Sequence, residues 1–159
     1  MKVMFVGRNS VENCGPWPTF AVVSMGEPDA VEGLPKIQPG WHSVLQLSFH
    51  DITENTQDVE GKFTLMADAD AKAIVNFVRE VALAPNVEGI IVHCRAGISR
   101  SAAVAKWICE QYSVPFNTDY DQFNPYVYRL MKLSGEGSSD DEALEAHLVK
   151  LRAEVNSRE

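Results

Sequence analysis

The chain has 159 residues, 45% of them apolar, which suits one domain with a core of its own and excludes a disordered chain. A formal net charge of −8 argues against binding nucleic acid through its phosphates and against docking on anionic membranes, but a locally positive pocket is still allowed. No apolar run approaches the roughly 18 residues of a membrane helix, and the apolar part of MKVMFVGRNS is too brief for a secretory signal.

In chain order, KVMFVG (2–7) and FAVVSMG (20–26) read as strands. Pro16, Pro18, Pro28, Pro35 and Pro39 break any regular element between and after them. VLQLSFHD (44–51) alternates apolar and polar residues as a third strand does. The loop ITENTQDVEGKFTLMA that follows is long for a compact domain, which marks it as a functional candidate. Residues 68–84 form an amphipathic helix with Ala71, Ile74, Val75, Val78 and Ala82 on one stripe and Asp68 as N-cap. GIIVHC (89–94) is apolar throughout, as a strand inside a parallel sheet is.

Helices are expected at 101–113 and 124–133, the second with Pro125 in its first turn, and SGEGSS (134–139) reads as a linker. In the last segment Ser139 and Glu142 stand as a capping box before a stripe of Leu144, Leu148, Leu151 and Val155. Strands and helices alternate, so the fold class is α/β with a mostly parallel sheet. The expected division is a catalytic domain over 1–135 and a C-terminal helix over 136–159 packed on it.

HCRAGISRS (93–101) is the segment that carries chemistry. A buried strand feeding directly into a helix leaves a loop whose backbone N–H groups can turn inward, joined by the helix's own unsatisfied donors and positive dipole end. Such a ring binds phosphate or sulfate. Ala96 and Gly97 keep its inside clear, and Gly97 is free to take positive φ. Arg100 adds a planar fork for two phosphate oxygens. Cys94 at the root of the ring sits in a positive field, the setting that turns a thiol into a thiolate at neutral pH. A thiolate in a phosphate cradle is a nucleophile aimed at phosphorus, and Ser101 is placed to donate a hydrogen bond to the sulfur as it leaves.

The segment resembles the active-site motif of the cysteine-dependent protein tyrosine and dual-specificity phosphatases: His-Cys, five residues, Arg, then Ser or Thr. That resemblance implies a phosphatase-like fold and a two-step, metal-independent hydrolysis through a cysteinyl-phosphate, with no cofactor. It makes Cys94 the nucleophile, Arg100 the phosphate clamp, the backbone from Arg95 through Ala96, Gly97, Ile98 and Ser99 to Arg100 the cradle, and Ser101 the leaving-group helper. Rhodanese-type sulfurtransferases also open this loop with Cys-Arg-x-Gly, but their arginine comes five positions after the cysteine, not six as here.

The departing oxygen needs a proton. If 44–50, 68–84 and 89–93 form one βαβ unit, Asp51 stands at the same sheet edge as Cys94, where ligands of open α/β sheets bind. Asp51 lies 43 residues before the cysteine, while many dual-specificity members hold their aspartate some thirty before; Asp58, at 36, is closer to that spacing. Asp51 is preferred on the strand-end argument, and Asp58 stays open.

His93 is expected to hold the loop by hydrogen bonds, with its side chain pointing away from that of Cys94. Trp17 is a surface-loop residue packed on the core, or else a wall for an aromatic substrate. Three cysteines far apart with no CxxC pair fit a reducing, cytoplasmic setting. Cys14 is a candidate partner for an oxidised Cys94, and Cys109 reads as core. FNPYVYRLM (123–131) resembles the helical segment after the motif in small dual-specificity phosphatases, with Asn124 bracing the loop. The expected substrate is a phosphorylated protein or peptide, phosphotyrosine first, and the expected state is a monomer. The competing reading is a pseudophosphatase that binds phosphate without releasing it.

Overall fold

The computed structural model describes residues 1–136. The expected capping box at Ser139 and the helix after it lie outside the described residues. Four strands form one parallel sheet: β1 (Lys2–Gly7), β2 (Phe20–Gly26), β3 (Ser43–Ser48) and β4 (Gly89–Cys94), in the order β1-β4-β2-β3. The helices are α1 (Arg8–Asn13), α2 (Asp68–Leu83), α3 (Arg100–Gln111) and α4 (Pro125–Glu136).

Side-chain alternation gives each face of the sheet its own core. Ala21, Val23 and Met25 of β2 and Ile90, Val92 and Cys94 of β4 face one way, packed under α2, α3 and α4. Phe20, Val22 and Ile91 face the other way and meet Val11 of α1 and Trp41. β4 sits between β1 and β2 and is buried at every position, which is why its sequence carries no polar alternation. All four C-terminal strand ends share one edge, and the 94–100 loop rises from that edge.

Several boundaries depart from the sequence reading. A short helix, α1, fills part of the stretch expected to be irregular; Val11 anchors it in the second core. The third strand ends at Ser48, because Phe49 and His50 turn inward and are buried. β3 and β4 are not neighbours, since β2 lies between them, so the expected βαβ unit spans a strand. Asp68 is the first residue of α2 and not its cap: Ala67 is the N-cap, and its N–H donates to the Asp70 carboxylate at 2.9 Å. α4 runs on to Glu136, through Ser134 and Gly135 of the expected linker. Gly135 is there for space, as a Cβ would stand 2.9 Å from Trp107 Nε1.

Candidate active site

The loop from Cys94 to Arg100 is shaped against the end of β1. Gly97 has φ +72°, and a Cβ on it would stand 2.4 Å from Gly7 N and 2.5 Å from the Val6 carbonyl carbon. Both the turn and the close approach therefore demand glycine. Arg8 N–H donates to Arg95 O at 3.1 Å, fixing the same contact from the other side.

Cys94 is 2% exposed, and its Sγ lies 3.1 Å from Ser101 Oγ. Burial pushes the thiol up. The Ser101 hydroxyl, the backbone of Ser101 and Gly97 and the Arg100 charge outweigh that and hold it below the usual thiol value.

Arg100 is also 2% exposed. Its Nη1 donates to Phe49 O at 2.7 Å and, more weakly, to Gly26 O at 3.4 Å, while Nη2 meets Glu27 Oε1 at 3.2 Å. The fork expected to be open to ligand is thus partly occupied by the ends of β2 and β3. Its Nε is buried and makes no hydrogen bond among the described residues. Glu27 also reaches Arg95 at 3.5 Å, and Glu32 reaches Arg95 at 3.0 Å and Arg8 at 3.7 Å. The loop's arginines are therefore balanced by carboxylates on the 27–32 segment, beside a small pocket lined by Arg8, Gly26, Glu27 and Arg95.

Asp51 comes directly to the loop: Ser99 Oγ donates to its Oδ1 at 2.8 Å, and so does Asn124 Nδ2, also at 2.8 Å. Asp58 instead closes a turn in its own exposed segment, accepting from the N–H groups of Lys62 and Phe63 at 2.8 and 3.0 Å. His50 anchors the root of that segment. Its Nδ1 accepts from Thr64 N–H at 2.8 Å, which leaves Nε2–H to donate to Asp29 at 2.6 Å. That bond holds the Asp29 carboxyl below its ordinary value.

His93 points away from Cys94, and its side chain reaches the neighbouring strand. Its Nε2 pairs with Ser24 Oγ of β2 at 2.6 Å, and burial lowers its pKa to about 4. Trp17 packs on Phe20 and Trp41, near the opposite edge of the sheet, so the wall for an aromatic substrate is not there. Cys14 packs with the second core while Cys94 belongs to the first, which puts the sheet between them. Cys109 is buried, and its thiol is pushed up by that burial.

Sequence reasoning missed Glu27 and Tyr120. Glu27 follows β2 directly, so its place after a strand end was the available signal. Tyr120 donates through its hydroxyl to Ile98 O and packs edge-on to Phe5. Its own pKa is raised, first by burial and then by the Cys94 charge. No family model matches the chain, and no curated protein matches it either.

Proposed function

We propose that the protein hydrolyses phosphate monoesters, phosphotyrosine in proteins or peptides first, through a cysteinyl-phosphate on Cys94. The observation that carries this reading is the pairing of a buried thiol held below its usual pKa with a buried Arg100 whose Nε–H has no partner among the described residues. A phosphoryl group in the loop would take that donor together with the loop's N–H groups.

In the first step Sγ attacks phosphorus, the P–O ester bond breaks, and Asp51 gives its proton to the departing oxygen. In the second, water attacks phosphorus, its proton passes to Asp51, and Sγ leaves as a thiolate received by the Ser101 hydroxyl. Glu27 holds Arg100 through Nη2 and leaves its Nε side for the substrate.

The test is hydrolysis of para-nitrophenyl phosphate with EDTA present, by wild type and Cys94→Ser. Turnover that survives EDTA and disappears in Cys94→Ser supports the reading. Binding of a phosphotyrosine peptide by wild type without phosphate release would make the protein a binding module.

A further inference from the structure

Two residues that precede helices are used in an uncommon way beside Asp51. Ser99 stands at the N-cap of α3, where a serine hydroxyl ordinarily accepts from the first turn. It makes no such bond; its hydroxyl donates to Asp51 Oδ1 instead. Asn124 stands before α4 and does cap it, its Oδ1 accepting from the N–H groups of Tyr126 and Val127 at 3.0 and 3.1 Å. That fixes the orientation of the amide, so the atom facing Asp51 is Nδ2, a donor. Its two hydrogens go to Asp51 Oδ1 at 2.8 Å and Ile52 O at 3.0 Å. Asn124 is 4% exposed, and its backbone N–H donates to Ser99 O at 3.0 Å, so the two donors are tied to each other.

Both donors therefore converge on one carboxyl oxygen, and no described residue donates to the other. In a protonated carboxyl group the oxygen that accepts hydrogen bonds is the carbonyl oxygen, and the other carries the hydrogen.

We infer that Ser99 and Asn124 are positioning residues that choose which oxygen of Asp51 bears the proton, placing it on Oδ2 and fixing the carboxyl plane for delivery. This rests on the phosphatase reading above. As the Sγ–P bond forms and the P–O bond breaks, the Oδ2 hydrogen passes to the departing oxygen, which keeps the bonding electrons. Oδ1 retains both donors and stabilises the carboxylate left behind. When water attacks, its proton returns to Oδ2.

The test uses Ser99→Ala, which removes one donor, and Asn124→Ser, which keeps a capping hydroxyl for α4 but removes the other. kcat/KM is measured on aryl phosphates whose phenols range from acidic nitrophenols to tyrosine-like ones. Near wild-type values are expected for the most acidic phenol, which leaves without a proton, with a loss growing to about tenfold at the tyrosine-like end. In an Asp51→Asn background Ser99→Ala should cost nothing more. An equal loss across the series, or none, overturns the inference.

A second readout needs no turnover: the Asn124 side-chain amide signal, by NMR, in wild type and Asp51→Ala. An unmoved signal overturns the pairing even in an active enzyme. A moved signal in a wild type without turnover overturns the phosphatase reading, and proton delivery with it, but leaves the pairing standing.

Discussion

Ser101 is the largest of the influences that hold the Cys94 thiol low against its own burial. Ser101→Ala is therefore expected to move the pH midpoint of Cys94 alkylation by iodoacetamide upward. An unmoved midpoint would mean that the hydroxyl does nothing for the thiolate. The two aspartates separate in the same residue-by-residue way. Asp51→Asn should lower phosphopeptide turnover by about 10²–10⁴-fold, and Asp58→Asn, which alters a turn in its own exposed segment, should leave it within about twofold. His93 sets a pH limit on stability. Its folded pKa of about 4 lies below the ordinary 6.5, so above 6.5 it is neutral folded or unfolded. As the pH falls from 6.5 to about 4, the unfolded chain takes up a proton that the folded chain refuses, and about 3 kcal/mol of stability is lost across that window. Urea unfolding of wild type and His93→Gln at pH 7 and pH 4.5 checks this; the loss on acidification should be smaller in the variant.

Among the elements, the junction of β1 with the 94–100 loop is the least tolerant of change. Gly97→Ala would meet both an unfavourable φ and backbone atoms that cannot yield, so a loss of at least about 2 kcal/mol and of phosphate binding is expected, read by thermal unfolding and a phosphopeptide titration. The sequence showed that Gly97 needed conformational freedom, but not that β1 lay under it. Contacts between residues so far apart leave no local pattern. β1, β2, β4, α2 and α3 were legible because period-2 and period-3.6 patterns and continuous apolar runs are local properties. α1 was not, because six residues carrying one buried apolar anchor, Val11, are too few to show a period. The order of the sheet was also hidden, since identical parallel pairing serves any order. At the site, the motif placed Cys94, Arg100 and Ser101, while Glu27 and the convergence of Ser99 and Asn124 on Asp51 depend on loops that meet only in the fold.

For the whole molecule, a charge of −8 surrounds a site that would receive anions, and Glu27 and Glu32 stand among its arginines. Long-range repulsion should slow the approach of acidic ligands until salt screens it; the Debye length falls from about 30 Å at 0.01 M to about 10 Å at 0.1 M. Raising ionic strength over that range should increase kcat/KM for a phosphopeptide flanked by acidic residues and decrease it for one flanked by lysines. The same trend for both peptides would place the controlling charges elsewhere.

The pairing of β1 with β4 also has a consequence for biosynthesis. Lys2 lies opposite Gly89, and among the described residues β4 is the only strand that β1 pairs with. A ribosome adding about 5–20 residues per second needs roughly 4–17 s to lengthen the chain from one to the other. Through that interval KVMFVG has no partner strand and shows its apolar side chains to the surroundings. Among the described strands the earliest made is thus completed by the latest, and the nascent chain depends for those seconds on whatever shields β1 from other chains.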